Sequence, residues 1–195
     1  MEQEILNKNV INFFFGKKEY RSLSNFWLND IIIIDVDTQR IYESGEHCFH
    51  AEKYYRLGQH IEDKERKQKL LDYSKIFIKP LQYKTGATAK KNGGKKGLLL
   101  NNEELKLWND ISIVVQKEIC KWKINNYEEV WQDLLKSDNK ILIHLAMRCS
   151  QEKLQNCIWN GKAVVVDRKI VILGKNLLGN IWMKYREKYI ISDTK

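Results

Sequence analysis

Glu46, His50 and Lys53 place a carboxylate, an imidazole and an amine within about two helical turns of one another. At roughly 100° per residue they share one helical face with Leu57, while His47, Cys48, Ala51 and Tyr55 fall on another. A helix that buries the second face points the first group together at something else. The carboxylate can stabilise positive charge or activate water, the imidazole exchanges protons near neutral pH, and the amine neutralises an anion. The same pattern also suits a solvated charged face.

The elements around this face must hold it. Ser44 stands where a helix cap belongs, so the spacing predicts a helix from about Ser44 to Leu57. Ahead of it, the β-branched run Ile31 to Val36, closed by Asp37-Thr38 and followed by Arg40 to Tyr42, predicts a hairpin. Val10 to Phe15 fits a buried strand turned by Gly16-Lys17-Lys18, and Leu23-Ser24-Asn25-Phe26-Trp27 follows. Behind the helix, Ile61 to Tyr73 reads as a charged surface helix, and Pro80, the only proline, breaks the chain. Ala87 to Lys91 suits one helical turn. Asn102 is placed to cap a long helix through Trp122, with the core stripe Leu105, Trp108, Ile111, Val115, Ile119 and Trp122. Tyr127 to Leu135 predicts a helix, Lys140 to Leu145 a strand, and Gln151 to Cys157 a helix. Ala163 to Val166 and Ile170 to Leu173 predict a hairpin, and Leu177 to Tyr189 a closing helix. No repeat, low-complexity segment or linker interrupts the 195 residues, which predict one compact domain.

Charge narrows the functional classes. The net charge is +9, and no acidic residue lies between Asp72 and Glu103, where Lys75, Lys79, Lys84, Lys90, Lys91, Lys95 and Lys96 gather. Such a block attracts a phosphate, a nucleotide or a polynucleotide, unless its side chains are simply hydrated. The run Gly93-Gly94-Lys95-Lys96-Gly97 would let backbone N–H groups converge on an anion, although it matches neither a Walker loop nor a dinucleotide fingerprint. No apolar run is long enough to span a membrane. Met1-Glu2-Gln3-Glu4 lacks the basic and apolar regions of a signal peptide. Cys48, Cys120, Cys149 and Cys157 are scattered, without a C-x-x-C pair, and are expected to be reduced core thiols of a cytoplasmic protein.

Several motifs, in this order, resemble the NADAR or YbiA-like family. They are Phe13-Phe14-Phe15, Leu23-Ser24-Asn25-Phe26, Tyr42-x-Ser44-x-Glu46-His47 with Ala51 and Lys53, and Trp108. Lys121-Trp122, Leu134-Leu135 and Trp159 follow, then the tail Gly174-x-Asn176-x-Leu178-Gly179-x-x-x-Met183-x-x-Arg186. The resemblance spans residues 13 to 186. It implies a compact α+β fold, mostly helical around a small β-sheet, and hydrolysis of an N-glycosidic bond. The implied substrates are riboflavin-pathway phosphoribosylaminopyrimidines or ADP-ribosylated guanine in nucleic acid. The second would make an ADP-ribosyltransferase toxin a functional partner. No metal or cofactor is implied.

By that resemblance Glu46 is the central catalytic carboxylate; His50 stands where the family usually has Gln, and its imidazole is a candidate acid–base partner on its own chemistry. Ser24, Asn25, His47, Lys53, Trp159, Asn176 and Arg186 are the expected substrate-binding residues. Lys53 and Arg186 would meet phosphate or ribose hydroxyls. Trp159 would stack on a base, whereas Trp108 suits the core. Asn176, Ser24 and Asn25 serve equally well as turn or cap residues. The family pattern carries a second carboxylate where this chain has Asn156, Glu where it has His144, and lacks a short run of extra residues around Asp167. Asn156 cannot act as a base or carry charge. Three outcomes follow: Glu46 suffices with His50, Asp167 substitutes, or the chain is a non-catalytic ADP-ribose or nucleotide-binding module.

Overall fold

The structure, a computed structural model, describes residues 1–14, 18–34, 39–79, 85–146 and 149–191. Phe15, the Gly16-Lys17 turn, the Val36-Asp37-Thr38 closure, Pro80 and Lys84 lie outside the described residues. The architecture is α+β and mostly helical. Its contacts group into two compact units, one formed by Met1–Ser24 with Asn126–Lys195 and the other by Asn25–Asn125. Among the described residues the strands form three two-stranded ladders instead of the one small sheet expected, because two of the pairings are local hairpins. No described helix is long and apolar enough to cross a membrane.

The Asn25–Asn125 unit is built on the hairpin β1 (Leu28–Ile34) and β2 (Gln39–Ser44), which runs straight into helix α1 (Gly45–His60). Helix α2 (Lys64–Lys75) is capped by Asp63, whose Oδ1 accepts the Arg66 N–H at 2.6 Å. Helix α3 (Gly86–Gly93) is capped by Thr85, and helix α4 (Asn102–Asn126) closes the unit. The cap of α4 is Asn101, one residue ahead of the expected Asn102. Its Oδ1 accepts the Glu104 N–H at 2.8 Å, while Glu104 Oε2 accepts the Asn101 N–H at 2.9 Å. This reciprocal capping box also receives Arg66, whose Nε and a terminal nitrogen each reach a Glu104 oxygen at 2.7 Å.

The core of this unit gathers Tyr42, Cys48, Ala51, Tyr54, Leu57 and Leu70 with Phe77, Trp108, Val115 and Ile119. Leu105, expected in the α4 stripe, is 45% exposed, whereas Glu104 and Trp108 are buried. Helix α1 is buried on nearly every side, and most of its buried polar groups are paired. Glu52 accepts the Tyr42 hydroxyl at 2.7 Å, Arg40 at 3.1 Å and Arg56 at 2.9 Å, and the Arg40 guanidinium also lies 3.9 Å over the Tyr55 ring.

The other unit opens with a helix the sequence pattern did not reveal, α5 (Glu2–Asn9), followed by strand β3 (Val10–Phe13). That strand pairs in parallel with β4 (Ile141–His144), so the two ends of the unit meet across more than a hundred residues of chain. Helix α6 (Glu128–Lys136), the short helix α7 (Gln151–Gln155) and the hairpin β5 (Lys162–Val166) to β6 (Lys169–Leu173) complete it with α8 (Leu177–Arg186). The β5–β6 turn is Asp167-Arg168, both at positive φ (48° and 62°), as a two-residue hairpin with right-handed strand twist requires. Trp182 donates its indole N–H to Leu23 O at 2.9 Å, and Ser22 donates to Asp133 at 2.6 Å, tying the segment before Asn25 into this unit.

Candidate functional site

Ser44 ends β2 and caps α1: its Oγ accepts the His47 N–H at 3.4 Å and lies 2.8 Å from His47 Nδ1. His47 has no exposed surface, so this expected substrate contact points into the unit beside the cap. The entry of the helix is also held by Asn25, whose backbone oxygen accepts the Glu46 N–H at 2.9 Å. The Asn25 side chain pairs reciprocally with Gln116 of α4, at 2.7 Å and 3.0 Å. A Cβ on Gly45 would stand 2.9 Å from Asn25 Oδ1, so the glycine permits that close approach. Asn25 therefore sets the start of α1, and Gln116, which the sequence reading missed, completes the pair. One i, i+4 step of a long core helix gives no local sign of such a partner.

Glu46 and His50 come together as the helical spacing predicts, with His50 Nε2 3.2 Å from Glu46 Oε1. They are not a solvated face: Glu46 is 9% exposed, His50 8% and Lys53 8%. Glu46 sits in the first turn of α1, where the helix N-terminus favours a negative charge. His50 lies edge-on to Phe49, and its Nδ1 is buried without a hydrogen-bond partner. The imidazole thus has one nitrogen on the carboxylate and the other enclosed without a hydrogen-bond partner.

The basic segment meets this face through its last helical glycine. A Cβ on Gly93 would stand 2.1 Å from His50 Cγ, so only glycine lets α3 end against the imidazole. The Gly93 carbonyl accepts the Lys53 ammonium, and Lys53 Nζ lies 4.4 Å over the Tyr54 ring. Tyr54 also donates to Leu98 O at 3.1 Å and Tyr73 to Asn92 O at 3.0 Å. The glycines therefore serve close packing, and it is a carbonyl, not a set of convergent N–H groups, that Gly93 turns toward Lys53. The Gly97 N–H is used internally by Gly94 O at 3.0 Å. Burial lowers the Lys53 amine to about 8, because the charged form loses water without gaining a carboxylate. Lys90 lies 5.6 Å over Phe26, whose ring packs against Gly86. Trp108 packs edge-on to Phe49 at 5.0 Å, a core contact as expected.

The remaining expected residues lie in the other unit. Ser24 is buried at the end of a single 3-10 turn, Arg21–Leu23. Asn176 is buried at φ 46°, its Oδ1 accepting the His144 N–H at 2.9 Å and its Nδ2 donating to Leu142 O at 2.8 Å. It clamps the start of α8 to β4, which is the turn role. A Cβ on Gly179 would stand 2.2 Å from Leu142 O, which explains that glycine. Arg186 donates to Ser137 Oγ at 2.7 Å and to Lys140 O at 2.9 Å, and burial holds its guanidinium below its ordinary value. Asn156 is exposed after α7, and Trp159 is half-buried. His144 stacks on Phe13 at 5.3 Å, and its Nδ1 lies 3.1 Å from the Asn160 amide, a partner that sequence pattern did not indicate.

A scan against models of protein families matches none, and a search of curated proteins finds no match. Among solved structures, the chain is similar to the NMR structure of the E. coli protein YbiA, with 19% identity and a TM-score of 0.56. That likeness covers 96% of this chain and 88% of the other. A likeness that covers most of both chains leads to one conclusion: the chain has a YbiA-like α+β fold.

Proposed function

We propose that the protein hydrolyses the N-glycosidic bond of an ADP-ribosyl or phosphoribosyl conjugate, with Glu46 as the central carboxylate. The observation that carries the reading is the buried Glu46–His50 pair beside the Lys53 amine, at the end of an acid-free basic segment. Breaking a ribosyl C–N bond sends the electron pair to the base and leaves positive charge at the anomeric carbon. A fixed carboxylate in a dry setting stabilises that charge or takes a proton from the attacking water. His50 supplies or receives the second proton, in place of the carboxylate that Asn156 does not provide. Lys53 and the lysines of α3 offer positive charge to phosphate. The products are ADP-ribose and the unmodified guanine, still in its nucleoside or strand, or ribose phosphate and the aminopyrimidine; the resemblance implies both substrate classes.

The test supplies ADP-ribosylated guanosine and, separately, a phosphoribosylaminopyrimidine, and measures the guanosine or aminopyrimidine released. Release from either supports the reading. No release from both, or undiminished release by Glu46→Gln, overturns it. The exposed amide of Asn156 favours a second reading, a nucleotide-binding module without turnover. In that case calorimetry detects ADP-ribose binding while no base appears.

A further inference from the structure

Cys48 and Cys120 are buried core thiols, as expected for all four cysteines, but Cys149 and Cys157 are not. Both are half-exposed, and their sulfurs lie 3.7 Å apart across the short helix α7. We propose that Cys149 and Cys157 are a dithiol modification site that closes to a reversible disulfide under a peroxide-class oxidant. The sulfurs need approach by only about 1.7 Å to reach the bonded length of about 2.05 Å, which a side-chain rotation supplies. Cys157 is the fixed member of the pair. Its N–H reaches Leu154 O at 2.9 Å, its carbonyl accepts the Lys175 N–H at 2.8 Å, and its thiol reaches Lys153 O at 3.4 Å. Among the described residues no group of three or more His, Cys, Asp or Glu could hold a metal ion.

The step balances. One thiolate attacks a peroxide oxygen, forming a sulfenic acid and releasing one water. The second thiolate attacks that sulfur, the S–S bond forms and the hydroxyl leaves as a second water. Each sulfur loses one electron, the peroxide gains both, and the two thiol protons end in the waters. The ring so closed runs from 149 to 157 and contains Asn156, with Trp159 just beyond it.

Peroxide is added to the reduced full-length protein, and the intact mass and native maleimide labelling are followed. The expected result is a loss of about 2 Da, restored by dithiothreitol. Tryptic peptides 149–153 and 154–162 appear joined, and native labelling falls from two thiols to none while Cys48 and Cys120 label only after unfolding. In Cys157→Ser, a dimedone-reactive sulfenic acid accumulates at Cys149. A gain of about 32 Da at either cysteine without linkage, a bridge to Cys48 or Cys120, or linkage only between chains overturns the proposal.

Discussion

At the scale of single residues, helix α1 shows that ionisable groups i, i+4 and i+7 apart are informative only once their burial is known. Glu46 and His50 at 3.2 Å, almost out of water, interact far more strongly than the same pair on a solvated face. Replacing Glu46 by Gln keeps the shape and removes the charge. The expected loss in base release is about 10²–10⁴-fold, with thermal stability little changed, measured by product chromatography and calorimetry. Lys53 carries a second prediction. Its amine titrates near 8 in the folded protein and near the ordinary lysine value when unfolded. Between these values the unfolded chain binds the extra proton, so stability rises with pH from about 8 to about 10. Below 8 both states are charged and the burial penalty is fully present. Lys53→Met should therefore raise stability most at neutral pH, with the advantage shrinking toward pH 10, read from urea midpoints across that range.

At the scale of elements, two contacts decide whether the chain's pieces meet correctly. Gly93 ends α3 against the His50 ring, and Gly93→Ala would drive a Cβ into the imidazole. The backbone can adopt the change only by pushing His50 away from Glu46. Displacement of a reacting group by about 1 Å is worth about 10²-fold, so base release should fall by that order. The His50 ring signals in NMR should shift with it. In the other unit, Asn176 supplies both a donor and an acceptor to β4. Asn176→Ala leaves Leu142 O and His144 N–H unpaired in a buried setting, each costing about 1–3 kcal/mol. It also keeps a positive φ that Asn tolerates better than Ala. A loss of about 2–4 kcal/mol by denaturant titration is expected. Asn176→Asp sets a carboxylate oxygen against Leu142 O at a fully buried position and should lose at least as much.

At the scale of the whole molecule, charge and chain path are the relevant quantities. A net charge of +9, with an acid-free stretch from Tyr73 to Asn102, predicts association with polynucleotide through phosphate contacts. Affinity for an unmodified single strand should fall steeply as salt rises from about 50 to 200 mM. About six phosphate contacts on a single strand correspond to a loss of about 300-fold, checked by fluorescence anisotropy. Affinity indifferent to salt would show that these lysines are only hydrated. The chain path adds a folding constraint. The unit formed by both ends of the chain depends on the parallel β3–β4 pairing, so its closure waits on the segment between them.

The amino-acid sequence by itself determined what rests on local periodicity. The helical face of Glu46, His50 and Lys53, the Ser44 cap, the two hairpins and the long helix through Trp108, Val115 and Ile119 all follow from residue spacing and capping chemistry. It missed α5, whose eight residues carry no buried position and hence no apolar stripe to read. Only the tertiary structure decided which side chains face one another across distant segments. The Gln116 partner of Asn25, the carbonyl that meets Lys53 and the Asn176 clamp on β4 all belong here. The physical reason is that periodicity records which residues leave water. The partner each buried polar group finds depends on how segments far apart in the chain pack against one another.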